Sequence, residues 1–281
     1  MKKFELKKLA MALVVIMLGF QVFAQGRIDL APKGTKAPEA QNVSMTGFSA
    51  TFSFNSIESE LMNTERGTFS KIMMDNSIPG GNIGEPQVPV NRELIAVPFG
   101  AKPVVTVKNY TVKEYNLADF GIERIYPQQA SVSKSEKDPK FAYNEAAYAV
   151  KGYDETRPIA EVTVMGTMRG IQIGALQLNA VRYNASANTI RVYNDIEVEV
   201  TFEDADLART EKTLVNTYSP YFRPVYSMLF NEKAIRDIYD EHPDLWAVPV
   251  KILVVANRMF EEAMQPWLTW KTEKGFYLDV N

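Results

Sequence analysis

Apolar and polar residues alternate along much of the chain between about residues 45 and 205. In "NDIEVEVTFE" one face is mainly acidic, and the other consists of Ile196, Val198, Val200 and Phe202. In "GFSATFSFN" the apolar face consists of Phe48, Ala50, Phe52 and Phe54. Successive side chains of a strand point to opposite faces of the sheet. The alternation therefore predicts half-buried strands, which are typical of an antiparallel sheet.

Turn signals separate these strands and predict an antiparallel β-sandwich. The polar link "NASAN", residues 184–188, joins two alternating runs and predicts a hairpin. Residues 25–46 are polar and predict a loose leader. Residues 77–94 contain three glycines and three prolines, which predicts a rigid irregular loop. Residues 126–153 predict a long polar connection, and connections of this length are often functional.

The pattern changes near residues 231–249, which indicates a domain boundary. A short amphipathic helix is predicted before this boundary. Its apolar face consists of Tyr221, Val225, Met228 and Leu229. The charged run at residues 231–244 is expected to be exposed and rich in turns. After the boundary a βαβ unit with parallel strands is predicted. Its parts are residues 250–256, 259–274 and 276–280.

The first 24 residues have the pattern of a secretory signal peptide. A basic segment, "MKKFELKK", precedes a twelve-residue apolar core, and Val22 and Ala24 predict a cut between Ala24 and Gln25. This core is shorter than the roughly 20 apolar residues that a membrane-spanning helix needs. We therefore expect a substrate of signal peptidase that is exported, periplasmic or secreted, with no membrane span after processing.

Composition excludes several functions for the chain that remains after residue 24. Removal of residues 1–24 leaves 27 basic and 33 acidic residues, a formal charge of −6, and no basic block suited to nucleic acid. These 281 residues contain no cysteine, which excludes a cysteine nucleophile, a thiolate metal site and a disulfide within them. The single histidine, His242, excludes a metal site with two histidine ligands. No cofactor is expected.

The whole chain resembles the amino-terminal part of the gingipains, in particular the lysine-specific gingipains. The resemblance rests on several patches in the same order: "GEPQVPVNRELIAVPFGAKPVV", "SVSKSEKDPKFAYNEAAYA", "GTMRGIQIGAL", "SPYFRPVYSMLFN" and "PWLTWKTEKGFYLDV". Gingipains are secreted cysteine endopeptidases made as inactive precursors. The resemblance therefore implies a signal peptide, a prodomain and the start of a catalytic domain.

The resemblance assigns a domain to each part of the chain. Residues 25–236 correspond to a β-sandwich prodomain with a C-terminal helix, which keeps the protease latent and assists its folding. Residues 237–281 correspond to a truncated first piece of the α/β catalytic domain. The family's catalytic cysteine and histidine would lie beyond this piece, and His242 is not the catalytic base. We therefore expect no peptidase activity from these residues, and exposed apolar surface on the truncated βαβ unit.

The resemblance also implies an inhibitory loop. In the family, a prodomain loop presents a basic residue to the specificity pocket of the protease. In "SVSKSEKDP" this position is Lys134, between Ser133 and Ser135. Lys137 and Lys140 are alternatives in the same polar connection.

A second implied site is the junction at which the precursor is cut. By the resemblance it lies between Arg236 and Asp237. A protease requires an exposed, extended segment, and the charged run around Arg236 is expected to supply one.

Two other functions remain open at this point. A secreted β-sandwich adhesion or carbohydrate-binding module would carry aromatic residues on an exposed sheet face or an acidic calcium loop. The sequence instead shows mainly apolar-in, charged-out alternation and no aspartate-rich calcium motif. A free-standing inhibitor would bind a gingipain-type catalytic domain in trans rather than in cis. Binding to a mature gingipain separates an inhibitor from an adhesion module.

Overall fold

The computed structural model describes residues 26–30, 36–135, 140–219, 222–241 and 250–280. Its strands are β1 (Arg27–Asp29), β2 (Gln41–Ser44), β3 (Gly47–Phe52), β4 (Ser56–Thr64), β5 (Gly67–Met74), β6 (Ser77–Gly80), β7 (Val88–Val97), β8 (Lys102–Asn116), β9 (Ala160–Met168), β10 (Ile171–Leu178), β11 (Val181–Asn184), β12 (Thr189–Glu203), β13 (Lys251–Val254) and β14 (Tyr277–Val280). Its α-helices are α1 (Glu145–Ala149), α2 (Leu207–Thr217), α3 (Arg223–Tyr226), α4 (Lys233–Asp240) and α5 (Glu261–Glu273). Short 3-10 helices cover Leu117–Phe120 and Arg258–Phe260.

Three antiparallel sheets form the main body of the described fold. The largest has the order β11–β12–β3–β2, and β8 pairs with the opposite edge of β12. A four-stranded sheet has the order β6–β7–β10–β9, and a three-stranded sheet has the order β1–β4–β5. The prediction of a mainly β, antiparallel architecture is confirmed.

Strand β12 shows how the sequence pattern produces this architecture. Its alternating residues Ile196, Val198 and Val200 are at most 2% exposed, whereas Glu197 on the opposite face is exposed. One edge pairs with β8, and the other pairs first with β11 and then with β3. The predicted hairpin at residues 184–188 is confirmed, because β11 and β12 are antiparallel neighbours on either side of it.

One hydrophobic core joins the three sheets. Its fully buried members include Ile28, Phe52, Ile57, Ile72, Ile95, Leu176, Leu178, Ile196 and Val200. Burial of a side chain of this size contributes about 1.5–3 kcal/mol relative to its exposed state. The sheets are therefore held by a shared apolar interior, which fits a chain without cysteine.

Two segments expected to be irregular contain strands. The expected loose leader, residues 25–46, contains β1 and β2, and Ile28 of β1 is fully buried. The carbonyl of Gly26 accepts hydrogen bonds from the Ser59 amide and hydroxyl at 2.9 and 3.1 Å. The expected loop at residues 77–94 contains β6 and most of β7, so only residues 81–87 are irregular. Pro79 is tolerated because β6 is an edge strand, where a missing amide donor breaks fewer ladder bonds. Pro89 of β7 lies before Asn91, where the pairing of β7 with β10 begins.

The helices that follow the sheets also differ from expectation. The predicted amphipathic helix is shorter than its pattern, since α3 ends at Tyr226 and Met228 is 69% exposed. Tyr221 lies outside the described residues. The charged run is helical rather than rich in turns, because α4 covers Lys233–Asp240 and buries Ala234, Ile235 and Tyr239.

The predicted βαβ unit is confirmed. Strands β13 and β14 are parallel, with Ile252 opposite Leu278, and α5 joins them. Helix α5 continues through Pro266 and ends before Gly275, whose φ is +86°. Several apolar side chains of this unit are exposed: Leu253 by 60%, Trp267 by 39% and Trp270 by 48%. The unit thus presents an apolar surface that its own elements do not cover.

Candidate functional site

Lys134 lies at an exposed turn of the connection between β8 and β9. Residues 131–135 are all exposed, and the turn includes Lys134 and Ser135. The hydroxyls of Ser133 and Ser135 are 2.9 Å apart, and the Ser135 amide donates to Ser133 Oγ at 3.4 Å. The two serines that flank Lys134 are therefore hydrogen-bonded to each other. Among the described residues Lys134 forms no ion pair, and Lys137 lies outside them.

The base of this connection is closed by Gln129. Its Nε2 donates to the Ala142 carbonyl at 3.0 Å, and its Oε1 accepts from the Ala142 amide at 2.9 Å. We call residues 126–129 and 141–144 the two stems of this connection. The Gln129 side chain thus satisfies both backbone groups of Ala142 on the opposite stem. The described residues between Gln129 and Phe141, which are 130–135 and 140, are called the Lys134 loop, and the Gln129–Ala142 contact gives both of its ends fixed positions.

A neighbouring segment, residues 81–85, supports both stems. The Gly84 amide donates to the Gln128 carbonyl at 2.8 Å, and the Gly84 carbonyl accepts from the Asn144 amide at 2.9 Å. The Gln128 amide donates to the Glu85 carbonyl at 2.8 Å. Gly84 has a φ of +83°, and a Cβ there would lie 3.2 Å from the Asn144 nitrogen. This position therefore favours glycine for both its backbone angle and its space.

An aromatic cluster lies beneath the loop. Phe69 of β5 is fully buried, and four rings surround it with centroid distances of 5.9 to 6.4 Å. These rings belong to Tyr126, Phe141, Tyr143 and Tyr148. Tyr126 and Phe141 lie in the two stems, so the cluster fixes the loop from the inside. Rings at these separations attract each other in addition to the burial of their surface.

The phenols of this cluster are structural. The Tyr148 hydroxyl donates to the Ile125 carbonyl at 2.6 Å. Burial raises the pKa of the Tyr148 phenol, and burial raises the pKa of the nearby Tyr183 to about 12. Both side chains are therefore neutral near pH 7, and they contribute packing and hydrogen bonds rather than charge.

The second predicted site, Arg236–Asp237, is inside α4. This corrects the expectation of an extended segment. Two ion pairs, each between residues one helical turn apart, lie on the exposed side of the helix. Arg236 Nη1 lies 3.2 Å from the Glu232 carboxylate, and Lys233 Nζ lies 2.5 Å from the Asp237 carboxylate. A protease binds its substrate in an extended conformation, so the peptide bond after Arg236 is protected while α4 is folded.

Helix α4 is packed on a second apolar cluster. Ile235 is 1% exposed and Tyr239 is 5% exposed. The Tyr239 ring lies 3.9 Å from the Tyr218 ring and 5.7 Å from the Tyr226 ring, measured between centroids. Burial raises the pKa of the Tyr239 phenol, and its hydroxyl has no hydrogen-bond partner among the described residues. The ring contributes through packing, not through its hydroxyl.

Asn231, just before α4, joins this segment to the sheets. Its Oδ1 accepts from the Ala96 amide at 2.8 Å, and its Nδ2 donates to the Ala96 carbonyl at 2.9 Å. Asn231 is 1% exposed, and the Phe230 amide also donates to the Leu94 carbonyl at 2.8 Å. Neither Asn231 nor Gln129 carries a sequence signal, because their backbone partners lie 135 and 13 residues away, beyond the range of a local pattern.

The remaining residues predicted from the sequence lie outside the described part of the chain. Ala24, Gln25 and His242 lie outside the described residues. Among the described residues, no group of three or more histidine, cysteine, aspartate or glutamate side chains could hold a metal ion. In the same part of the chain, no helix has the length and apolar character needed to cross a membrane.

Comparisons with known sequences identify relatives over nearly the whole chain. The Propeptide_C25 family model matches residues 31–219. Lys-gingipain HG66 of Porphyromonas gingivalis is 44% identical over 278 residues, which are 98% of this chain and 16% of that protein. Gingipain R2 of the same organism is 23% identical over 211 residues, or 72% of this chain and 27% of that protein. The chain thus spans about a sixth of the length of its Lys-gingipain relatives.

Comparisons with solved structures agree with these relatives. A chain from a structure described as "Structural insight into zymogenic latency of gingipain K from Porphyromonas gingivalis" matches with a TM-score of 0.60 and 42% identity. It covers 64% of this chain and 100% of its own length. A chain from "Complex of Porphyromonas gingivalis RgpB pro- and mature domains" matches with a TM-score of 0.56 and 17% identity, covering 72% and 100%. This second likeness supports the fold.

Proposed function

Since this chain belongs to the Propeptide_C25 family, we propose that its Lys134 loop keeps a gingipain-like cysteine endopeptidase latent by entering the specificity pocket. The observation that carries this proposal is an exposed lysine on a loop whose two stems are fixed by Gln129 and the aromatic cluster. A solved relative supports it, because its structure is described as an insight into the zymogenic latency of gingipain K.

The chemistry of such a pocket explains why a lysine would bind. A protease that accepts a cationic residue requires a negative group at the end of its pocket, and the ammonium of Lys134 would form a charge-assisted hydrogen bond there. A loop that is fixed before binding loses little conformational entropy in the complex. A flexible lysine-containing peptide lacks this second advantage and should bind as a substrate rather than as an inhibitor.

The partner in this proposal is a gingipain-type catalytic domain, in cis or in trans. In cis the same contact would also assist folding of the catalytic domain. The chain itself would not hydrolyse peptides, because its 281 residues contain no cysteine and cysteine peptidases need a thiolate nucleophile. Residues 237–281 would then be the beginning of the protease rather than part of the inhibitor.

The direct test is inhibition of a mature lysine-specific gingipain by the chain from Gln25 to its end. We expect inhibition of lysyl-peptide hydrolysis at a stoichiometry of one chain per enzyme. An arginine-specific gingipain provides the comparison and should be inhibited less, since Lys134 lacks the planar guanidinium that an arginine pocket recognises. Full activity of the lysine-specific enzyme in excess chain would contradict the proposal.

We also propose processing at two positions. Signal peptidase would cut between Ala24 and Gln25 during export to the periplasm or the exterior. Cleavage after Arg236 would separate the prodomain, residues 25–236, from residues 237–281. Because Arg236 lies within α4, this second cut would require that α4 first unfolds.

Substitution of Tyr239 tests the link between helix packing and cleavage. Tyr239→Ala should accelerate trypsin cleavage after Arg236 by on the order of 100-fold, since loss of a buried aromatic ring costs about 3 kcal/mol and favours the open helix. Peptide mass spectrometry gives the rate at this one bond. Tyr239→Phe is the matched control and should not accelerate cleavage, because it keeps the buried ring and removes only a hydroxyl that has no partner among the described residues. Equal rates in both variants would show that α4 does not limit cleavage.

A further inference from the structure

The segment between α1 and β9 contains an exposed stretch whose backbone is not part of a helix or a sheet. Helix α1 ends at Ala149, and from Val150 to Thr156 only Tyr153 is half-buried, while the other residues are exposed. Val150 is extended, with a φ of −61° and a ψ of 131°. Among the described residues, the backbone groups of residues 150–152 have no hydrogen-bond partner. This stretch can therefore enter the extended binding cleft of a protease without breaking a helix or a strand ladder.

The bond between Lys151 and Gly152 lies in this stretch. Lys151 is exposed, and within the described part of the chain it forms no ion pair. Gly152 has a φ of +83°, and a Cβ at this position would have no atom of a non-neighbouring residue within 4 Å. The space beside the bond is therefore open to another molecule.

Exposure alone does not select this lysine. Lys113 of β8 is also exposed, but its backbone belongs to the ladder between β8 and β12. Arg157 lies in the same connection as Lys151, but its carbonyl accepts from Arg182 Nη2 at 2.8 Å, and Pro158 follows it. The proline ring and its missing amide hydrogen hinder binding of that bond to a protease. Lys151 differs from both, because it combines exposure, a backbone without internal hydrogen bonds and a following glycine.

Both sides of the Lys151–Gly152 bond are anchored a few residues away. Before it, the ring of Tyr148 packs against Phe69, with 6.1 Å between their centroids. After it, Glu155 forms ion pairs with Arg182 and Arg191. Arg182 is only 9% exposed, so this anchor reaches into the fold. A cut between the two anchors therefore leaves both new ends attached.

The sheets also hold the two halves of the chain together. Strands β1–β8 precede the bond, and β9–β12 follow it. In the largest sheet β12 pairs with β8 and β3, and in the four-stranded sheet β10 pairs with β7. Two of the three antiparallel sheets thus contain strands from both halves, and both halves contribute to the shared hydrophobic core.

We infer that Lys151–Gly152 is a processing site for an endopeptidase that cleaves after lysine, and that the cut chain stays folded as a complex of two fragments. One water molecule is consumed: the C–N bond breaks, a C–O bond forms at the Lys151 carbonyl carbon, and the Gly152 nitrogen takes the proton. The Lys134 loop and both of its stems lie in the first fragment, so the inference does not depend on the proposed function. After the cut, each fragment needs the other to bury its core strands.

Limited digestion of the chain from Gln25 to its end tests the site. The probe is a lysine-specific serine endopeptidase in small amount, and mass spectrometry follows each new fragment over time. The fragment that begins with Gly152 should form at least about 100-fold faster than cleavage after Lys113, because Lys113 is reached only when the ladder opens. Lys151→Gln should abolish this fragment without changing the thermal unfolding midpoint. Equal rates after Lys151 and Lys113 would overturn the site.

Size-exclusion chromatography of the same digest tests the two-fragment complex. Without denaturant, the fragments on either side of the cut should elute together at the volume of the intact chain, since the sheets and the core still join them. In denaturant the fragments should separate, while the Lys151→Gln chain gives neither of them. Separate elution of the two fragments without denaturant would overturn the inference that the cut chain stays folded.

Discussion

Lys134→Ala is expected to raise the inhibition constant of the chain against a lysine-specific gingipain by about 100-fold. Removal of one partner from a buried, charge-assisted contact costs about 3 kcal/mol, and every 1.4 kcal/mol is a factor of ten. The fold should not change, because Lys134 is exposed and among the described residues forms no ion pair. The inhibition constant and the thermal unfolding midpoint, measured on the same sample, separate these two effects.

Lys140→Ala is the matched control for this substitution. Lys140 is also exposed and lies at the other end of the same loop. Its substitution should change the inhibition constant by less than about threefold, as is usual for an exposed charge outside a buried contact. An unchanged constant in Lys134→Ala would discard Lys134 as the pocket residue. A large change in Lys140→Ala alone would transfer the assignment to Lys140.

Phe69→Ala is expected to lower the free energy of unfolding by about 3–5 kcal/mol and also to weaken inhibition. Phe69 is fully buried, and its ring contacts both stems of the Lys134 loop through Tyr126 and Phe141. Loss of the ring would leave a cavity under the loop, and the stems would no longer have one position. Denaturant unfolding gives the first quantity, and the inhibition constant of the folded fraction gives the second.

Phe48→Ala distinguishes this local effect from general destabilisation. Phe48 is 3% exposed and contacts the rings of Phe202 and Phe230 in the main core, so its loss should cost a similar free energy. Once the unfolded fraction is subtracted, its inhibition constant should remain that of the unsubstituted chain. Equal weakening by both substitutions would show that the aromatic cluster has no specific role in positioning the loop.

The parts of the fold that could be predicted are those with a local pattern. The alternation in β12 and β3, the hairpin at residues 184–188 and the βαβ unit each show their period within a short window. Strand β1 could not be found this way, because three residues contain too little alternation, and Ile28 joins the core through a tertiary contact in which β1 pairs with β4. The wrong prediction for residues 77–94 came from Gly and Pro content, because Pro79 lies in the edge strand β6 and Pro89 lies in β7 before its pairing with β10 begins.

The sequence of α4 contains the apolar pattern of a helix, but its many charged residues favoured the prediction of an exposed segment rich in turns. In "NEKAIRDIYD" the apolar residues Ile235, Ile238 and Tyr239 recur at helical spacing. In the structure Ile235 and Tyr239 are buried and Ile238 is half-buried. The residues around the Lys134 loop had no comparable signal. Gln129 and Phe69 support it through contacts between segments that are distant in the sequence, and the polar connection itself has no period.

The pattern of inhibition tests the central claim most directly. Initial rates of a mature lysine-specific gingipain should be measured over a range of lysyl-peptide concentrations with increasing amounts of the chain from Gln25 to its end. If the Lys134 loop occupies the specificity pocket, the apparent KM should rise with chain concentration while kcat stays constant. A fall in kcat at constant KM, or no change in either constant, would contradict the claim.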